Sequence, residues 1–377
     1  MTNKHSPGGL LCIFAAKVEA MLNLSQRLTA FVKLGLLLKS FEGRNQAVIF
    51  DNIEKEKFET LKETVKNAQH HNGWFVEENV RQMLAALGES LEKGKLEKWV
   101  SNYLPALEKD QEERTIAVVM AGNIPVVGFH DFLSVLLSGN KLLAKLSSDD
   151  EKLLPAIADL LASIEPAFKS KVAFTNSQIK DFDAVIATGS DNSSRYFQYY
   201  FGKYPNIIRK NRNGVAVLKG DETAQDLERL ADDIFSFYGL GCRNVSKIFV
   251  PDNYDFNLLL DSLSERKDVI ENHKYFNNYE YNKAIFLVNT RTHFDAGTLL
   301  LVEEEKIASP VSVLHYEYYN KEQYLHNRLT IEADKIQCVI SGSDAIPNSL
   351  PFGKSQQPEL WDYADGVDTM AFLLALK

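Results

Sequence analysis

Residues 115–146 read TIAVVMAGNIPVVGFHDFLSVLLSGNKLLAKL. Thr115 to Met120 is a short apolar run rich in β-forming residues, and Ala121-Gly122-Asn123-Ile124-Pro125 is a turn. Val127 to Leu137 predicts an apolar helix, closed by Ser138-Gly139-Asn140, and Lys141 to Leu146 a second strand. The alternation continues downstream. Asp149 to Leu161 predicts a helix, Val172–Phe174 and Ala184–Ala187 predict strands, Ser190 to Phe201 a helix and Val215 to Leu218 a strand. Strands that alternate with helices in this way predict a parallel sheet with helices on its faces.

Upstream, residues 24 to about 110 read as helices. Ser25 is a candidate cap for a helix whose apolar positions Leu28, Phe31, Val32 and Leu36 follow helical spacing. A second helix is expected from about Asn45 to His70, ended by His70-His71-Asn72-Gly73, and more helix from Trp74 to Leu104. Downstream of Tyr238 a second α/β stretch begins. Strands are expected at Ser246–Val250, Ala284–Val288, Val311–Tyr316 and Ile336–Ile340. The short apolar run Leu10–Ala16 lacks the length and cleavage site of a signal peptide, so residues 1–20 read as a disordered extension.

The chain has 377 residues, 45% hydrophobic and 25% charged, enough for two or three packed lobes. Its net charge of -9 argues against a nucleic-acid binder, which needs a basic footprint. The three cysteines, Cys12, Cys242 and Cys338, are too widely spaced for a disulfide framework or a zinc site, which suits a reducing, cytoplasmic setting. No metal is expected, since His70 and His71 have no further ligand at useful spacing. No apolar run reaches the ~18 residues of a membrane span.

Cys242 sits in Tyr238-Gly239-Leu240-Gly241-Cys242-Arg243-Asn244, between a helix and a strand. Two glycines let a thiol face a cleft, and Arg243 favours the thiolate. A buried structural cysteine fits the residue equally well. Asn123, in its strand-to-helix turn, is either a donor to a developing oxyanion or a turn residue satisfying its own backbone. Lys145 ends a strand and enters Leu146-Ser147-Ser148, at the edge of a parallel sheet where cofactors commonly bind, or is simply solvated. Thr188-Gly189-Ser190 ends a strand and opens a helix; it suits a pyrophosphate, or Ser190 is a plain N-cap. There is no G-x-G-x-x-G fingerprint.

In this order the elements resemble the aldehyde dehydrogenase superfamily, and within it the luminescence-type fatty acyl-CoA reductases. The resemblance runs from about Thr115 to the C-terminus. It is carried by Asn123-Ile124-Pro125, by Gly139-Asn140-Lys141-Leu142-Leu143-Ala144-Lys145, by Thr188-Gly189-Ser190, by Gly241-Cys242, by Ser309-Pro310-Val311 and by Pro351-Phe352-Gly353. It implies an α/β, aldehyde-dehydrogenase-like fold with a Rossmann-like cofactor domain, an α/β catalytic domain and a small β-element used in oligomerisation. The expected division is a helical part at 21–112, a nicotinamide-cofactor domain at 113–237, a catalytic domain at 238–345 and a C-terminal segment at 346–377 for bridging and oligomerisation. A homodimer or homotetramer is expected.

The resemblance also implies roles. Cys242 is the acyl-accepting nucleophile, and Asn123 with the Cys242 backbone N–H forms the oxyanion hole. Lys145, with Ser147 and Ser148, meets the adenosine ribose, and Thr188, Gly189 and Ser190 meet the pyrophosphate. Hydrolytic members carry a water-activating glutamate where this chain reads Asn206-Ile207-Ile208-Arg209-Lys210-Asn211-Arg212-Asn213-Gly214. Its absence favours passing the acyl group to hydride or CoA over releasing free acid. The basic residues here suit anionic groups of CoA or cofactor, or form a solvated turn. The family's nicotinamide-ribose glutamate falls in Lys306-Ile307-Ala308-Ser309-Pro310, where only neighbouring Glu305 is a substitute. Members that prefer NAD often place a glutamate at the position of Ser148, so NADPH is expected, with NADH the alternative. The expected reaction is reduction of an acyl-CoA or acyl-carrier thioester to an aldehyde. The alternatives are an oxidising aldehyde dehydrogenase, an acyl-phosphate reductase and a non-catalytic binding protein that keeps the fold.

Overall fold

The computed structural model describes residues 22–43, 51–109, 112–342 and 346–376. The expected extension at 1–20, with Cys12, lies outside the described residues. The opening unit consists of β1 (Thr115–Val119), helix Phe129–Leu137 and β2 (Lys141–Lys145). Helix Leu153–Ile164 leads to β3 (Val172–Thr175), β4 (Ala184–Thr188) follows, and helix Asp191–Phe201 leads to β5 (Asn206–Arg209). All five strands are parallel, in the order β3-β2-β1-β4-β5. Ala184 to Ala187 are all fully buried, as expected of a central strand covered on both faces.

Helices Leu24–Lys39, Asn52–His71 and Glu77–Ser90 share one apolar core with this sheet, where Phe31, Leu34, Leu61 and Leu84 join Phe132, Leu133 and Leu160. The first helix is capped by Asn23 rather than Ser25. Asn23 Oδ1 accepts from Gln26 N, and Gln26 Oε1 accepts in turn from Asn23 N. A second capping box, Asp51 with Glu54, starts the next helix at Asn52. Residues 44–50, where that helix was expected to begin, lie outside the described residues.

The second sheet contains β6 (Asn213–Val217), β7 (Val245–Pro251), β8 (Phe294–Asp295), β9 (Leu300–Glu303), β10 (Val313–Tyr319) and β11 (Ile336–Ser341). Their order is β11-β6-β7-β10-β9-β8, and only β8 runs antiparallel to its neighbour. The β6 strand, which the sequence reading placed with the first sheet, therefore belongs to the second. The chain changes sheets between Arg209 and Asn213. Ala284–Val288 is not a strand but the end of helix His273–Val288. Of that run Phe286 alone is buried, while Leu287 and Val288 are exposed; a short apolar run does not tell helix from strand by period.

Among the described residues the strands make these two sheets and no separate β-element of the kind expected for oligomerisation. The C-terminal segment makes one bridge, Ile340 to Leu350, and then returns across the first lobe. Its last helix, Thr369–Leu374, puts Met370 and Leu373 into the core of that lobe. No helix among the described residues is long and apolar enough to cross a membrane.

Candidate active site

Helix Ala224–Phe235 ends in a turn where Phe237 and Tyr238 take left-handed backbone angles, φ 51° and 59°. Neither residue adopts such angles without cost, so the surroundings must enforce them. The enforcing side chain is Asn244, almost fully buried. Its Oδ1 accepts from Gly241 N at 2.8 Å, and its Nδ2 donates to the carbonyls of Asp233, Ile234 and Ser236. These are carbonyls that the helix end leaves unpaired. Behind the loop, Gly214 N donates to Asn244 O, and a Cβ at Gly214 would come within 2.6 Å of Arg243 O. Asp233 fastens the C-terminal segment to the same loop by accepting from Gly353 N and Ser355 N.

Cys242 is partly exposed at the tip of this loop. Burial pushes its thiol above the ordinary value, Arg243 pulls it down and Asp365 raises it again. The expected thiolate preference from Arg243 is thus outweighed by desolvation. Asn123 reaches the loop from the opposite lobe, its Nδ2 donating to Leu240 O at 2.7 Å. Its turn is strained at Val126, φ 46°, whose N–H is held by Asp150 Oδ2 at 2.7 Å. Asp150 is buried, and burial pushes its carboxyl up to about 6 against the backbone N–H groups of Val126 and Leu153.

Arg209 is no solvated cation. It is buried, makes a two-pronged pair with Asp131 at 2.7 and 3.0 Å, and donates to Thr369 Oγ1. Arg212 lies 3.3 Å from a carboxylate oxygen of Asp365 and donates to the carbonyls of Ala333 and Ile336. His130 donates from Nε2 to Leu360 O, and burial holds its ring below the usual value. Glu222 closes its own turn by accepting from Lys219 N and Gly220 N. Cys242, Arg243, Asp131, Arg209 and His130 face a cleft of about 1020 Å³, whose apolar wall includes Met83, Val126, Leu133 and Leu360.

The remaining candidate residues gather at another edge. Val119 and Lys145 are level in the ladder, and Thr188 ends β4 on the other side of β1. Strand order reverses between β1 and β4, which opens a crevice at their carboxyl ends. Ser148 and Ser190 are exposed there, and Lys145, Ser147, Thr188 and Gly189 are partly so. Ser190 caps helix Asp191–Phe201, accepting from Ser193 N. Gly122 joins the two places. A Cβ on it would meet Ser147 Oγ at 2.5 Å, while Ile124 in the same turn faces the cleft. Glu305 is exposed and away from the cleft lining; its carbonyl, with that of Glu304, accepts from the fully buried Lys247 Nζ. Among the described residues no group of His, Cys, Asp or Glu is set to hold a metal ion.

Sequence reasoning missed Asn244, Asp233, Asp150, Asp131 and Asp365. A buried aspartate is recognised by its partners, and these partners are distant in the chain. Asn244, two residues after the cysteine, was open to a reading as a helix-end cap.

The two-lobed arrangement is that of an aldehyde dehydrogenase fold. The chain is similar to an NAD+ complex of a Bacillus cereus aldehyde dehydrogenase (TM-score 0.58, 12% identity, 86% of this chain and 73% of that one). It is similar also to an oxidoreductase from Marinobacter aquaeolei (0.59, 11%, 86% and 74%). A third likeness is to an indole-3-acetaldehyde dehydrogenase of P. syringae solved with NAD+ (0.56, 13%, 87% and 74%). No curated protein sequence matches. Residues 17–270, about two thirds of the chain, match the model of one family, and the chain belongs to it: the acyl-CoA reductases (LuxC). It is therefore an oxidoreductase of the aldehyde and acyl type.

Proposed function

We propose that the chain reduces an acyl thioester, acyl-CoA or acyl carrier, to an aldehyde through an acyl-enzyme on Cys242, with NADPH as reductant. The observation that carries this reading is the contact from Asn123 Nδ2 to Leu240 O, which brings the asparagine turn of one lobe against the cysteine loop of the other. Cys242 Sγ attacks the thioester carbonyl and the carrier thiol departs, which divides one difficult reduction into easier steps. An amide nitrogen has two protons; one of Asn123's goes to Leu240, and the other, with the Cys242 N–H, serves the oxyanion. Such a donor lowers a barrier by roughly 3 kcal/mol.

The crevice between β1 and β4 suits a nicotinamide dinucleotide. Helix Asp191–Phe201 brings its positive N-terminal end there, which favours a pyrophosphate beside Thr188, Gly189 and Ser190. Lys145 and Ser147 serve the adenosine ribose, and Ser148 leaves room for a 2′-phosphate. When bound, the nucleotide supplies hydride to the acyl-enzyme. Asp131 and Arg209 are occupied with each other and with Thr369, His130 is occupied with the Leu360 carbonyl, and together they hold the cleft in shape. The chain works in the cytoplasm as a homodimer or homotetramer on this reading. The test is NADPH oxidation with acyl-CoAs, acyl-carrier thioesters and acyl phosphates side by side. Turnover with thioesters is expected; turnover confined to acyl phosphates, or to aldehyde oxidation, overturns the reading.

A further inference from the structure

A small cavity of about 50 Å³ lies at the other end of the first sheet from the crevice. Asn140 and Lys171, which line it, directly precede β2 and β3, so it opens at the amino ends of the strands. Arg27, from the first turn of helix Leu24–Lys39, lines it too and is only 6% exposed. Burial lowers its guanidinium to about 10, which leaves it charged at neutral pH. Its Nε is buried without a partner, and Nη1 lies so close over Gly139 that a Cβ there would overlap it. Among the described residues no carboxylate or carbonyl accepts from this guanidinium, and desolvation alone acts on it. The neighbouring carboxylates are spent elsewhere, Glu113 on Lys141 and Lys171 and Glu112 on Arg114. Gly139 closes helix Phe129–Leu137, whose C-terminal end favours a cation. The carbonyls of Ser134, Val135 and Leu136 there are already taken by Ser138 N, Asn140 N and Gly139 N.

A guanidinium withdrawn from water is costly unless an anion meets it. We propose that this cavity binds a small tetrahedral oxyanion, phosphate or sulfate, held by Arg27 with Lys171 beside it. Guanidinium nitrogens match such oxygens with paired N–H donors, and the lysine adds a point charge. At roughly 10–15 Å³ for each water, the cavity has room for a few waters or for one such ion, and none for a nucleotide. The ion is either free or the phosphate end of a larger molecule whose remainder stays in solvent; both present the same oxygens. Bound there, it ties helix Leu24–Lys39 to the amino ends of the strands, away from Cys242 and from the crevice.

The test is urea unfolding in inorganic phosphate, in phenyl phosphate and in chloride at matched ionic strength, with wild type, Arg27→Gln, Lys171→Gln and Ser190→Ala. Phosphate at about ten times its dissociation constant should raise the folding equilibrium constant of wild type about tenfold over chloride. Arg27→Gln should lose this rise, and Lys171→Gln should keep only part of it. Ser190→Ala, at the carboxyl ends of the strands, should keep all of it. A rise with phenyl phosphate as well assigns the site to the end group of a larger molecule, and a rise with inorganic phosphate alone assigns it to the free ion. One unfolding curve for wild type in phosphate and chloride overturns the inference, as does a full rise in Arg27→Gln. Loss of the rise in Ser190→Ala also overturns it, by placing the phosphate in the crevice. If Arg27→Gln fails to fold, Lys171→Gln decides the matter, and an undiminished rise there overturns the site.

Discussion

The crevice between β1 and β4 and the surroundings of Cys242 are built in opposite ways. Lys145, Ser147, Ser148, Thr188 and Ser190 come from the ends of two strands of one sheet, all at least partly exposed. Around Cys242 the chain brings together Asn123, Asp131, Arg209, Gln337 and Ala364, from five stretches and both lobes, with Asp131 and Arg209 buried against each other. One edge is made by local order, the other by long-range closure. The first should tolerate substitution and change its preference; the second should fail outright.

The largest expected effect is at the closure itself. Cys242→Ser should abolish acylation and turnover while nucleotide binding persists, read by radiolabel transfer and a binding titration. Equal labelling of mutant and wild type would contradict it. Next comes Arg209→Met, which leaves Asp131 buried and unpaired; breaking such a pair costs about 3–5 kcal/mol. Urea unfolding measures it, and adding Asp131→Leu to the same chain should recover part of the loss. If both single and double variants unfold like wild type, the closure is looser than the contacts imply.

Asp150 tests the strained asparagine turn. Its carboxyl is raised to about 6, so the folded state holds its proton more tightly than the unfolded chain does. The stability this contributes is full below the unfolded value of about 4 and is lost as pH rises through about 6. The difference is at most about 3 kcal/mol. Asp150→Asn should lack this loss, so its stability relative to wild type should improve between about pH 4 and about pH 7. A constant difference across that range would show that the carboxyl is not raised. The smallest effect belongs to the crevice. If the proposed choice of NADPH is right, Ser148→Glu should shift preference towards NADH by about tenfold, roughly 1.4 kcal/mol, without loss of stability. A wild type with the higher kcat/KM for NADH would refute the reading of Ser148.

The same contrast explains what the sequence discloses. Thr115 to Lys145 could be read as strand, turn, helix and strand because each feature is written within a few residues: a β-rich run, a turn asparagine and proline, an apolar helix, a closing glycine. The candidates at the crevice and in the cysteine loop were visible for the same reason. Asp131 and Arg209 look like ordinary surface charges until β5 is laid beside the helix after the asparagine turn. In β11 Ile336 pairs with Asn213 and Cys338 with Gly214, and the bulge this makes at Gln337 leaves no mark in a run as plain as Ile336–Ser341. The strand expected at Ala284–Val288 failed because a capped helix of 16 residues ends in the same apolar letters.

One feature of the C-terminal segment bears on the protein's synthesis. Asp233 holds Gly353 and Ser355, and Met370 and Leu373 seal the core under the asparagine turn. A ribosome makes Cys242 more than a hundred residues before it makes Gly353 and the cleft-lining residues that follow it. An elongating chain therefore carries its thiol before the segment that closes the cleft beside it has been made. A chain cut before Gly353 should therefore keep Cys242 but lack one wall of the cleft beside it.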